Sequence, residues 1–170
     1  MEHWQLFFEN EADYKRAKEQ QFQRIITIFP WVAIIDRYQQ WIYTNPGHTR
    51  EQRLDAWKEI FSSFSSEEVD YSGLEESVKY RWHAQIHLFD YPFYYIEYAI
   101  AQLGALAVWR NYCQNPKKAL DQYIAALSLG YTEPMKTIYA TAGIEFNFSK
   151  PYIQELMNFL ADQIKKIEES

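Results

Sequence analysis

The chain has 170 residues, about the length of one domain, with 17 Lys and Arg against 23 Asp and Glu and a formal charge of −6; that balance argues against a nucleic-acid-binding surface. Hydrophobic residues make up 48% and there are only 5 Gly and 6 Pro, which excludes disorder and fibrous repeats as the main state. The single Cys113 cannot close an intrachain disulfide, and no charged segment followed by an apolar one opens the chain, so a cytoplasmic setting is expected.

Apolar residues recur at i, i+3, i+4 and i+7 nearly throughout, which predicts an all-α chain of about eight helices in a single helical domain over 1–170. A first helix is expected from Glu2 to about Gln20, burying Trp4, Leu6, Phe7, Phe8, Ala12, Tyr14 and Ala17, with a start that reads as cut rather than capped. A second runs from Phe22 to Tyr43. Its apolar stretch Ile25–Ile35 is too short for a membrane span of about 20 residues, and Pro30 is expected to kink it.

The segment 44–49, Thr-Asn-Pro-Gly-His-Thr, is the clearest turn, and Thr49 followed by Glu51 and Gln52 suits a capped start for a helix to about Phe64. A polar connector from Ser62 through Glu67 and Glu68 to Gly73 leads to a helix expected from Leu74 to Leu88. Pro92 then reads as the first residue of a long helix to about Asn111, capped by Asp90 or Tyr91, with small residues including Gly104 allowing close approach by a neighbour. Asn115-Pro116 opens a helix ended by Gly130, Pro134 opens one ended by Gly143, and Ser149-Lys150-Pro151 opens an amphipathic helix through Ile167.

Two constellations could carry chemistry. His83 and His87 are four apart on the expected helix, a spacing that would let both imidazoles meet one metal, but residue 84 is Ala where a zinc peptidase needs Glu and no third ligand is in view, so no metal ligand is assigned. His87, Tyr91, Tyr95 and Tyr98, at spacings of four, four and three, place several neutral donors along one face, an arrangement suited to a peptide carbonyl or a developing oxyanion. An aromatic stripe at helical spacing is also what a core requires. His3 and His48 read as solvated, and no histidine stands beside Cys113 in the sequence, so thiol catalysis is not expected there.

The run from His87 to Ala99, HLFDYPFYYIEYA, resembles the His-x-Phe-x-x-Pro-Phe-Tyr-Tyr-Ile-Asp-Tyr segment of the oligoendopeptidase F branch of the thimet oligopeptidase family, zinc metallopeptidases that cleave oligopeptides. Phe29-Pro30-Trp31-Val32-Ala33, Asp36 to Gln40 leading into Trp41–Pro46, Ala119–Tyr123 and Ala142–Phe146 resemble further pieces of the same family's carboxy-terminal region, in the same order.

The resemblance implies the helical carboxy-terminal part of a channel-type catalytic domain. It implies that His87, Tyr95 and Tyr98 are catalytic, polarising the scissile carbonyl and stabilising its oxyanion, while Tyr91 and Tyr94 bind substrate. The gap from His87 to the first Tyr is one residue shorter than in the thimet oligopeptidase branch, so either Tyr91 or its competitor Tyr94 is the channel-facing phenol. The family's zinc sits on His-Glu-x-x-His and a later Glu. No His-Glu-x-x-His occurs here, and Met1-Glu2-His3-Trp4 looks like the tail of the helix carrying the third ligand, so the chain is expected to start just after the zinc site. Zinc would belong to the intact enzyme and none to this chain, which alone is expected to be inactive. Its expected partners are an oligopeptide and the missing amino-terminal zinc-bearing part, with neither nucleic acid nor membrane, and its uncovered apolar face would favour a homodimer. The alternative is a helical module that holds peptides without cutting them, or a structural remnant.

Overall fold

A computed structural model describes residues 2–66 and 68–169. The described residues form eight α-helices and two 3-10 helices with no strand, as the periodicity requires. Met1 and Glu67, which figure in the expected chain start and connector, lie outside them. No described helix is long and apolar enough to cross a membrane.

Helix α1 spans Glu11–Thr44 and α2 Arg50–Phe64. The chain before α1 is a 3-10 helix, Glu2–Phe7. The two helices expected over 2–43 are therefore redrawn: the break falls at residues 8–10 and one 34-residue helix continues through Pro30. Asn10 supplies the missing start signal, its Oδ1 accepting the Asp13 N–H at 2.8 Å, a side-chain cap of ordinary kind. At α2 the expected cap is present in full, with the Thr49 hydroxyl accepting from the Gln52 N–H and the Gln52 side chain accepting from the Thr49 N–H.

The helix expected over 74–88 is broken into three pieces: α3 (Glu75–Tyr80), a 3-10 turn (Arg81–Ala84) and the single-turn α4 (His87–Asp90). Gln85, with φ −93° and ψ 87°, is where helical geometry stops. The long helix α5 covers Ile96–Gln114, four residues later than Pro92 suggested. The local signals further on perform as expected: Asn115 caps α6 (Pro116–Leu129), Pro134 precedes α7 (Met135–Thr141), and Gly130 and Gly143, at φ 55° and 73°, take the left-handed conformations that end them. α8 covers Lys150–Glu168.

Contacts divide the chain into two compact units, Ile25–Ala99 and Met1–Arg24 with Ile100–Ser170, whose boundaries fall inside α1 and α5. In the second, Phe22, Leu103, Leu106, Ala107, Tyr152, Leu156 and Leu160 are buried. Trp109 packs edge-on against Phe159 at 5.0 Å between centroids. Gly104 faces the Tyr139 ring so closely that a Cβ there would lie 3.0 Å from its hydroxyl, the close approach its size predicted.

The unit Ile25–Ala99 is built on Ile34, Ile35 and Tyr38 of α1, Trp57, Ile60 and Phe61 of α2, and Trp82. These spacings of three and four put each set on one face of its helix. Trp57 is fully buried, donates its indole N–H to the Val78 carbonyl at 2.7 Å and meets Tyr38 at 5.1 Å between ring centroids. Tyr38 is fully buried too, and burial pushes its phenol well above the ordinary range, only partly offset by the charge of Arg53. Because the folded state then holds a proton that the unfolded chain loses, stability is unaffected below about pH 10 and falls above it, by at most about 1.4 kcal/mol per pH unit from this group. Urea denaturation across pH 9–11 is expected to show that decline, and Tyr38→Phe to flatten it.

Candidate active site

The segment 85–98 lies wholly in the unit Ile25–Ala99, and two side chains of α1 hold its ends. Trp31 Nε1 donates to Gln85 Oε1 at 3.1 Å. Gln39, 1% exposed, accepts the Phe93 backbone N–H on Oε1 at 2.8 Å. The Tyr94 N–H returns to the Tyr91 carbonyl at 3.2 Å, and Phe93 has φ 59°. This is a β-turn with Pro92 second and a left-handed residue third, a position that usually takes Gly or Asn. The expected role of Pro92 at the first helical position is thereby corrected, since its fixed φ serves a turn as well as a helix start.

That turn changes which residues share a helix. Only Tyr98 of the expected phenol stripe is helical, in the first turn of α5; Tyr91, Tyr94 and Tyr95 precede it. The five nominated side chains nevertheless converge. His87 lies 4.9 Å from Tyr95, 5.6 Å from Tyr98, and 6.0 Å from both Tyr91 and Tyr94 between ring centroids. Tyr94 is parallel to the imidazole within 4° and Tyr98 is edge-on at 88°. Tyr98 Oη is 3.3 Å from His87 Nε2, and Gln85 Nε2 is 2.6 Å from His87 Nδ1.

Tyr91, Tyr94 and Tyr98 are 56%, 50% and 42% exposed, whereas Tyr95 and His87 are half-buried. The three outer phenols are thus reachable from solution. Burial raises the Tyr95 phenol above its ordinary range, with the Trp31 indole N–H drawing it partly back and Tyr98 adding to the rise. Tyr95 therefore stays a protonated donor through neutral pH and beyond. The cluster presents polar hydrogens and π faces with no carboxylate among its five members, a chemistry that suits a carbonyl oxygen gaining negative charge.

The alternative spacing does not survive. His83 belongs to the 3-10 turn, lies tilted against Tyr80 and meets Trp82 edge-on, while His87 lies beyond the break at Gln85. They are not successive turns of one helix. His48 lies against Trp41 with Nδ1 on the Asn45 carbonyl, and His3 is exposed in the first 3-10 helix. Among the described residues no group of three His, Cys, Asp or Glu side chains could hold a metal. The described residues therefore do not by themselves supply three ligands to one zinc ion.

The sequence model of Peptidase family M3 matches residues 1–158. The chain belongs to that family. It is a family of metallopeptidases, which agrees with the helical fold. No curated protein and no solved structure matches the chain.

Trp31, Gln85 and Gln39 were missed as site residues because their partners are 54 positions away or their role is only to hold others. Replacing Gln39 by Leu removes the acceptor for the Phe93 N–H while preserving shape. Amide exchange at Phe93 is expected to accelerate about tenfold or more, the equivalent of one lost hydrogen bond of roughly 1.4 kcal/mol. Hydrogen-exchange NMR of the two proteins measures it, and equal rates would deny Gln39 that role.

Proposed function

We propose that this chain is the carboxy-terminal helical part of an oligoendopeptidase F-like zinc peptidase that hydrolyses oligopeptides, with the zinc ligands in an amino-terminal part of the same enzyme. The order of the family-like segments and the family match over 1–158 support this reading. In it His87, Tyr95 and Tyr98 act on the scissile peptide, and Tyr91 and Tyr94 line its binding surface.

The observation that carries the proposal is the convergence of four phenols on His87, with Tyr98 Oη at 3.3 Å from its Nε2. A phenol that donates to a neutral carbonyl holds the oxyanion more tightly, because a hydrogen bond to a charged acceptor is roughly twice as strong. The gain is therefore concentrated in the transition state. Tyr95, kept protonated by its burial, is placed to donate as well. Tyr94, stacked on the imidazole, offers its remaining exposed edge to an extended peptide.

Co-expressing the chain with the zinc-bearing amino-terminal part of an oligoendopeptidase F-like enzyme is expected to give cleavage of a quenched fluorescent oligopeptide. Tyr98→Phe in that assembly is expected to lower kcat by about 10²-fold, near 3 kcal/mol, with KM little changed. Unchanged kcat would remove Tyr98 from the chemistry. Failure to cleave, together with tight peptide binding by the chain alone, would favour the non-catalytic peptide-binding module.

A further inference from the structure

We propose that Gln85, oriented by Trp31, is a positioning residue that fixes the proton of neutral His87 on Nε2 and so leaves the Tyr98 hydroxyl hydrogen free for an external acceptor. The assignment follows from what each group can donate. An indole N–H is a donor and nothing else, so the Gln85 atom 3.1 Å from Trp31 Nε1 has to be the carbonyl oxygen. Turning the amide over would set N–H against N–H. The other end of the amide, 2.6 Å from His87 Nδ1, is therefore the NH₂ group.

A donor facing Nδ1 requires a lone pair there. The neutral ring then carries its proton on Nε2, which points at Tyr98 Oη 3.3 Å away. Tyr98 accepts that hydrogen bond through its oxygen. Its own hydrogen has no acceptor among the described residues, and the side chain is 42% exposed. Trp31, at the head of this chain of bonds, is itself held: the Arg81 guanidinium lies over its ring at 5.0 Å and Trp57 meets it edge-on at 6.2 Å. A directional relay runs from Trp31 through Gln85 and His87 to Tyr98. The opposite tautomer would make His87 Nε2 an acceptor, and the Tyr98 hydrogen would be consumed inside the cluster.

Only the last step, the use of that free hydroxyl on a peptide, rests on the function proposed above. The proton's location can be read on the isolated chain without any activity. In the ¹⁵N-labelled protein at alkaline pH, long-range ¹H–¹⁵N correlation of the His87 ring is expected to show a protonated Nε2 and an unprotonated Nδ1. A ¹⁵N–¹⁵N coupling across the hydrogen bond between Gln85 Nε2 and His87 Nδ1 is expected with it. Gln85→Glu replaces the donor with an acceptor of nearly the same shape and is expected to move the proton to Nδ1.

A wild-type ring protonated on Nδ1, an absent coupling, or a folded Gln85→Glu protein that keeps the proton on Nε2 would each overturn the proposal. Near-UV circular dichroism reports whether the variant has folded; if it has not, the wild-type coupling decides alone. Because the spectra do not depend on cleavage, a failed hydrolysis assay leaves this inference standing, and a failed tautomer assignment leaves the peptidase reading standing.

Discussion

Everything at the candidate site depends on two hydrogen bonds made by one helix. From α1, Trp31 reaches Gln85 and Gln39 reaches the backbone of Phe93. The two anchors are eight residues apart, a little over two helical turns, and their partners are also eight apart. The segment between the partners is irregular: a helix broken at Gln85, a single turn at His87–Asp90, and a β-turn through Pro92. A short irregular stretch has little internal order to lose. Tying its ends to a 34-residue helix whose Ile35 and Tyr38 are fully buried gives the His87 cluster the rigidity of the core.

The core supplies that rigidity through aromatic packing more than through charge. Trp57 and Tyr38 are fully buried, and each such side chain stabilises by about 2–3 kcal/mol through area alone. The four ion pairs described join partners of which at least one is largely solvated, or are neighbours on one helix, and such pairs contribute about 0–1 kcal/mol each. The site inherits the same character. Its donors are phenols, an amide, an indole and an imidazole, so its geometry is insensitive to salt in a way a charge-built site would not be.

How much of this was legible follows the range of the interactions. Thr49 with Gln52, Asn115 with Pro116, Gly130 and Gly143 act on their own neighbours, and each ended or began an element where expected. Pro92 misled because one fixed φ satisfies two different local structures, and the choice between them was made by Gln39 from 54 residues away. The break at Gln85 was hidden by apolar periodicity that runs through it, and Trp31 holds it from an equal distance. Among the site residues, the His87 and Tyr set was readable because its members lie within twelve positions. Their common environment, with three of the four phenols ahead of α5 rather than on it, was not.

Gln39 shows why the anchors are polar at all. Its Oε1 holds the Phe93 N–H, but its Nε2 is buried with no hydrogen-bond partner among the described residues. One net hydrogen bond is worth about 1 kcal/mol, while a buried unpaired donor costs about 1–3 kcal/mol. Phe93 adds the strain of a left-handed conformation in a residue with a Cβ, roughly 1–2 kcal/mol. On these terms the arrangement is neutral or unfavourable for stability, and an apolar side chain would serve the core as well. What an apolar side chain cannot do is choose the turn. Without an acceptor at Gln39, Pro92 is free to begin a helix, and the phenols would then form the stripe that their spacing suggests. With it, Tyr94 is carried onto the face of His87 and Tyr98 onto its edge. Stability is given up at Gln39 and Phe93 to specify where the rings go, a cost that positioning explains and packing does not.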